Sequence, residues 1–238
     1  MPVLRVVRPG MLTTVQDLGR WGHQISGVPV AGPMDEYSHR LANHLVGNAA
    51  TAAALEVTLI GPELEADTDV LCAVAGALFT LHTDGGVAPM HEAFLLRRGA
   101  RLRFGRRTAG ARAALAVAGG LDVDPIFGSR ATSLISRIGP FGGRAVMAGD
   151  VIPIAQSTAA ARISRATPLT LPAGGARLRV IPGPHVSRFT SDAFDTLFAA
   201  RYTVTPSSNR MGYRLEGPRL THARGADILS DPTALGSL

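Results

Sequence analysis

Residues 13–24 read TTVQDLGRWGHQ, placing an amide, a carboxylate, a guanidinium, an indole and an imidazole within one short stretch broken by two glycines. Asp17 and Arg20 flank Gly19 at a spacing that suits a local ion pair, which would fix a turn with Trp21 packed over it. The same residues also suit a preorganised anion site. There Arg20 would grip a carboxylate or phosphate in its planar fork, while Gln16 and the Gly19 amide donate to developing negative charge. His23 could carry a proton near neutral pH. Residue types alone leave both readings open.

A second dense stretch, AVAGGLDVDPIFGSRATS, spans 116–133. Gly119 and Gly120 permit close backbone approach, and Gly128, Ser129, Arg130, Ala131 and Thr132 are either an anion cradle or a plain turn between strands. Ser129 lacks a G-x-S-x-G elbow and is a weak candidate for a nucleophile. Asn43 and Asn48 flank the end of a helical pattern. Asn48 reads as a C-cap, Asn43 as a polar group near the apolar stripe, and Glu56 as a carboxylate on an apolar strand that must find a partner if buried. His39, His44, His82 and His91 do not form H-E-x-x-H, so no metal site is expected.

Composition narrows the chemistry. All 24 basic residues are arginine, so a Walker-type phosphate loop and a Schiff-base lysine are excluded. The arginines are spread along the chain rather than clustered with aromatics, which argues against a nucleic-acid partner. Cys72 lies in the apolar run DVLCAVAGALF and reads as a small hydrophobe. Arginines interrupt the N-terminal MPVLRVVRPG, and no apolar run reaches membrane-spanning length, so a cytoplasmic protein is expected.

The elements that must position these residues are mainly short strands. Candidates near the N-terminus and at 54–61, 69–76, 77–86, 92–105, 111–120 and 145–154 are bounded by glycines and turn residues, the pattern of an antiparallel barrel or sandwich. Residues 32–48 break it: Met34, Tyr37, Leu41, Leu45 and Val46 recur at helical spacing, with Asp35 and Glu36 in the first turn. The chain therefore divides into a barrel over 1–155 with one packed helix, a linker over 156–175, and a partial second domain over 176–238 that weakly echoes the first. The second unit is too short for a barrel like the first, so it is either truncated or completed by a partner.

Taken in order, TVQDLGRWGH, GVPVAGPMDEYSHRLANHLVGN, LEVTLIGPEL, AVAGGLDV, GSRAT and SSNRMGYRLEGP resemble the allophanate hydrolase subunit 2 family. That family includes the C-type component of bacterial ATP-dependent 5-oxoprolinase, part of the carboxyltransferase region of urea carboxylase, and an antagonist of a sporulation-kinase inhibitor. The resemblance implies tandem cyclophilin-like β-barrels, B-type and A-type partner subunits, ATP as co-substrate, and opening of the 5-oxoproline lactam to glutamate. It marks as pocket candidates Gln16, Asp17, Gly19 and Arg20, then Asp35, Asn43, Asn48 and Glu56, then Gly119, Gly120, Ser129 and Arg130, and finally Arg210, Gly212 and Tyr213. In that picture Arg20 or Arg130 binds the substrate carboxylate or an acyl phosphate, Asp17 orients the arginine, and Glu56 or His23 carries the proton. Ala131 departs from the family, which usually has serine there, and family members normally continue beyond this C-terminus. Two alternatives stand: a biotin-dependent carboxyltransferase subunit, with the biotin carrier on another protein, and a non-catalytic module that binds a partner barrel.

Overall fold

The computed structural model describes residues 1–157, 164–167, 170–171, 177–229, 233 and 236–237. Two compact units divide the chain, Met1–Gly175 and Ala176–Leu238.

The first unit is one antiparallel sheet built from β1 (Val3–Arg8), β2 (Leu12–Gln16), β3 (Ala54–Thr58), β4 (Glu63–Ala66), β5 (Val70–Thr83), β6 (Gly86–Ala88), β7 (Ala93–Leu96), β8 (Arg101–Val117) and β9 (Val151–Pro153). Its main path runs β2-β3-β8-β4-β1-β9, with β5 paired to β8 and carrying β6 and β7. β8 organises the sheet: its first half pairs with β4 (Leu64 opposite Leu102), its second half with β3 (Leu55 opposite Leu115), and β5 runs along it. The sheet curls, as the mainly β reading anticipates.

Side chains alternate across β5 and β8, which sorts the two cores. Cys72, Val74 and Leu81 of β5 and Leu102, Leu115 and Val117 of β8 join Leu4, Leu55, Leu64 and Ile152 inside the curl. The opposite face carries Leu71, Ala73, Ala75, Ala114 and Ala116, and helix α1 (Glu36–Leu45) packs there through Ala42, Leu45 and Val46. Small residues under the helix bring its backbone close to the sheet, and burial on both faces explains the near-continuous apolar runs.

Three expectations need correction. The strands anticipated at 69–76 and 77–86 are one strand, because Gly76 (φ 106°) sits at a register shift between β5 and β8 rather than ending the strand. The run 92–105 is instead two elements, β7 and the start of β8, separated by a turn at Gly99. The helix buries only part of its expected stripe: Leu45 and Val46 are buried and Leu41 packs against them. Met34 and Tyr37 are exposed, and α1 turns Ser38, His39, Ala42, Asn43 and Leu45 inward, so its first turns present polar groups to the sheet.

Of the segment 156–175, which falls within the first unit, the described residues 164–166 bond to the start of β7: Ala93 N–H donates to the Ser164 carbonyl, Ala166 N–H to that of His91, and Arg165 pairs with Glu92. The remainder lies mostly outside the described residues. In the second unit the helix Ser191–Ala199 and the ribbon of β10 (Thr203–Val204) and β11 (Leu215–Glu216) are the regular elements beyond a short turn of helix. Ala193 is its one buried residue among those described. No helix among the described residues is long and apolar enough to cross a membrane.

Cys72 is fully buried, and desolvation pushes its thiol up to about 12. The native protein should therefore resist a thiol-specific reagent at about pH 8 and react stoichiometrically once unfolded; rapid native-state labelling would contradict this placement.

Candidate functional site

Asp17 follows directly on β2 and is held by three donors. Its Oδ1 accepts from Gly19 N–H at 2.9 Å and Ser129 Oγ–H at 2.6 Å, and its Oδ2 accepts from Arg130 N–H at 2.6 Å. Ser129 and Arg130 emerge from a tight hairpin in which Ile126 and Ser129 exchange backbone hydrogen bonds across Phe127 and Gly128, both with positive φ. The turn and the cradle are thus the same object, and the anion it cradles is the carboxylate of Asp17.

The expected Asp17–Arg20 ion pair does not form. Arg20 is 1% exposed; its Nη2 donates to the Ala131 carbonyl and its Nε to that of Ile126 at 3.4 Å. Three short bonds have already engaged the carboxylate, so the guanidinium turns to the carbonyls of the neighbouring loop. Burial lowers the Arg20 pKa, opposed by the Asp17 charge. Gln16 is fully buried beside them, donating to Thr14 Oγ1 at 2.9 Å and the Thr132 carbonyl at 3.1 Å. Arg130 spreads its guanidinium over the Val123 carbonyl (2.6 Å) and Asp122 (3.1 Å). Neither arginine therefore presents an empty fork to solvent. Trp21 is 69% exposed rather than packed as a lid, and the His23 ring lies 5.2 Å from that of Phe127.

A second cluster sits under the start of α1. Asp35 caps the helix, accepting from Ser38 N–H at 2.9 Å and Ser38 Oγ–H at 2.5 Å. Glu56, 4% exposed on β3, accepts from Met34 N–H at 2.5 Å, and its Oε1 lies 3.8 Å from Arg112 Nε. Pro33, Asp35, His39, Glu56 and Arg112 line a narrow pocket with Ala114. The β3–β8 register explains the meeting: Glu56 opposes Ala114 and Thr58 opposes Arg112, so Glu56 and Arg112 are diagonal neighbours on one face. The sequence reading singles out neither Arg112 nor His39 as a pocket residue. The available signal for Arg112 is an arginine and a glutamate each standing alone within an apolar strand.

The two clusters share a segment. Arg20 N–H donates to the Val30 carbonyl at 2.8 Å, Gly32 packs against Leu18 and Asp17, and Met34 N–H reaches Glu56.

Asn43 and Asn48 form a separate stitch. Asn48 donates to Asn43 Oδ1 (2.9 Å) and the Val117 carbonyl (2.7 Å) and accepts from Gly119 N–H (2.8 Å), while Asn43 donates to the Ala52 carbonyl (2.9 Å). Asn48 is therefore not the C-cap, a place taken by Val46; it ties the end of α1 to the end of β8. A Cβ on Gly119 would lie 2.1 Å from the Ala155 carbonyl oxygen, and Gly120 also holds positive φ. Arg210, Gly212 and Tyr213 lie in the second unit, where Asn209 and Gly212 close a turn before β11. Among the described residues no group of three or more His, Cys, Asp or Glu side chains is arranged to hold a metal ion.

A family model described as carboxyltransferase domain, subdomain A and B, matches residues 26–238. The chain belongs to this family. Among relatives of this carboxyltransferase-domain protein, the C-type component of 5-oxoprolinase from Escherichia coli (strain K12) is 38% identical over 228 residues, covering 96% of this chain and 73% of that protein. Urea amidolyase of Saccharomyces cerevisiae is 35% identical over 233 residues, covering 93% of this chain and 13% of that protein. The crystal structure of TTHA0988 superposes with a TM-score of 0.86 at 40% identity, covering 99% of this chain and 46% of that one. This chain thus spans less than half of the matched TTHA0988 chain and a small part of the yeast protein.

Two outcomes follow from the geometry. Asp17→Ala removes three charge-assisted bonds and should cost at least about 3 kcal/mol in urea unfolding; a change under about 1 kcal/mol would remove Asp17 from its central place. Burial also lowers the pKa of His39 and His91, and each ring Nε2 faces an N–H donor, Asn43 Nδ2 at 3.2 Å and Gly76 N at 3.1 Å. A folded pKa below the ordinary 6.5 means the stabilisation is complete above that value and is lost as pH falls through the folded pKa. Urea midpoints should fall between about pH 7.5 and pH 5.5 and flatten in the double variant His39→Gln/His91→Gln; identical pH dependence in both proteins would contradict it.

Proposed function

We propose that this carboxyltransferase-domain protein is one component of an ATP-dependent 5-oxoprolinase-type amidohydrolase, working with A-type and B-type partner subunits in the cytoplasm, and that its chemistry is centred on Glu56. The observation that carries the reading is a 4% exposed carboxylate lining a pocket beside a single guanidinium. The relatives named as C-type components of 5-oxoprolinase support the reaction class.

Opening the lactam adds water across a C–N bond: a carboxyl group forms and the departing nitrogen must gain a proton. Glu56 takes a proton from the attacking water and returns it to that nitrogen, a role that suits a carboxylate shielded from bulk water. Hydrolysis of ATP by the complex supplies the driving force. Asp35, fixed by Ser38, and the clasp around Asp17 hold the walls of the pocket rather than touching the reacting atoms. A second reading, carboxyl transfer to a urea-like acceptor, is favoured by the family match and by the urea amidolyase relatives, and would place its acceptor in the same pocket.

The test is ATP-dependent glutamate release from 5-oxoproline by the chain mixed with its A- and B-type partners. Wild type should be active, and Glu56→Gln should lower kcat at least about a hundredfold without moving Tm by more than a few degrees. Wild-type turnover with an equally active Glu56→Gln protein would overturn the site; absence of turnover in the full complex would overturn the reaction.

A further inference from the structure

Four large apolar side chains lie bare on the two loops that the Asp17 clasp joins. On the first, Trp21, the single tryptophan of the chain, is 69% exposed and Ile25 is 99% exposed; on the second, Ile126 is 38% and Phe127 51% exposed. The loops meet where the His23 and Phe127 rings lie 5.2 Å apart and where Arg20 Nε reaches the Ile126 carbonyl. Taking a whole aromatic side chain as about 200 Å², the four leave on the order of 400 Å² of apolar surface uncovered. A patch of that size marks an interaction site, and it is about half of one partner's share of a standard interface.

The backbone shows that Phe127 is held there under strain. Ile126 and Ser129 close a two-residue turn in which Phe127 (φ 52°) and Gly128 (φ 74°) both lie in the left-handed region. This is the type I′ turn, whose first central position favours Asn, Asp or Gly. A phenylalanine in that position is strained, and its ring is half exposed, so neither turn geometry nor core packing accounts for it. Contact with a partner does. The surroundings agree: residues 21–34 and 125–129 contain no Asp, Glu, Lys or Arg, in a chain in which 18% of residues are charged. Aromatic enrichment with charge depletion is the makeup of the centre of a protein interface.

We infer that Trp21, Ile25, Ile126 and Phe127 form the core of a docking face for a partner protein that presents an uncharged apolar surface and no excess of positive charge. Two copies of this chain carry +6 each, so pairing of the face with itself is opposed. A membrane surface is met by basic side chains beside the apolar ones, and residues 21–34 and 125–129 supply none. The clasp at Asp17 fixes both loops before a partner arrives, which lowers the ordering cost of binding. The inference rests on the proposed multi-subunit complex, which supplies the partner, and adds where that partner docks. The first loop runs on to Met34, whose N–H meets Glu56, so the docking face and the proposed site share one segment.

Isothermal titration calorimetry of the chain with the A-type and the B-type subunit, each alone, tests this. Wild type should bind one of them. Trp21→Ser and Phe127→Asn should each weaken that binding at least about thirtyfold, while Val87→Ser, which removes a similarly exposed aliphatic group from β6, should leave it unchanged. Phe127→Asn should at the same time raise Tm by roughly 2–4 °C, because asparagine suits the turn; that rise separates a lost contact from a lost fold. Wild-type affinity in both variants would overturn the inference and leave the complex standing, whereas no binding by wild type would overturn both. Dimerisation of the chain alone that Trp21→Ser abolishes, or Trp21-dependent binding to vesicles of phosphatidylcholine and phosphatidylglycerol, would overturn it in favour of a second copy or a membrane. Partner binding through this face without turnover of 5-oxoproline would sink the reaction and support the docking face.

Discussion

The clasp around Asp17 is the interaction on which the rest of the first unit depends. One carboxylate gathers the Gly19 amide, the Ser129 hydroxyl and the Arg130 amide, and so pins two loops, separated by more than a hundred residues, against the end of β2. Bonds to an ionised acceptor are short and strong, and each of these donors would otherwise be left facing a partly buried anion. With the hairpin fixed, the carbonyls of Ile126 and Ala131 converge on Arg20 and allow a cation to be almost wholly buried. Arg20 in turn holds the Val30 carbonyl through its amide, and four residues later Met34 N–H meets Glu56. Rigidity established at Asp17 is thereby passed to the wall of the pocket.

This ordering explains how a motif dense in reactive groups can serve another site. The first motif has the residue types of an active site, yet its carboxylate is taken by three protein donors and its guanidinium is turned to the carbonyls of the neighbouring loop. The pocket under α1 brings Asp35, Glu56 and Arg112 together with His39. A helix cap, an ion pair between diagonal strand neighbours and a bulge at Gly76 meet there, and a Cβ on Gly76 would come within 3.0 Å of Ser38 Oγ. His91, with positive φ and an Nε2 that accepts from Gly76 N–H, braces the bulge from behind. Backbone strain of this kind is retained where surrounding structure over-determines it.

Much of the fold is legible in the residues. Short apolar runs bounded by glycines and turn residues announce a β-rich architecture, and Pro33, Asp35 and Glu36 announce a helix start. Register is what cannot be read. Nothing local to ALEVTLIG or ARAALAVAGG says that Glu56 and Arg112 are two positions apart across a strand pair, and only that pairing brings them together. The helix face is legible only in its second half, where Leu45 and Val46 are buried: Met34 and Tyr37 fit the period, but it is Ser38, His39 and Asn43 that turn inward, and their polar partners, such as the Ala52 carbonyl for Asn43, are not marked by the period. Glycine misleads at Gly76, which lies within a long strand, whereas Gly119 permits the close backbone approach its pairing with Gly120 suggests, here to the Ala155 carbonyl.

The central claim is a division of labour: the Asp17 clasp positions, and the pocket of Glu56 meets the substrate. A crystal structure of the chain soaked with 5-oxoproline addresses it most directly. The account predicts density for the lactam ring against Glu56, with Asp17 still held by Gly19, Ser129 and Arg130. Density on Arg20 or Arg130, with the clasp around Asp17 opened to admit the ligand, would contradict it.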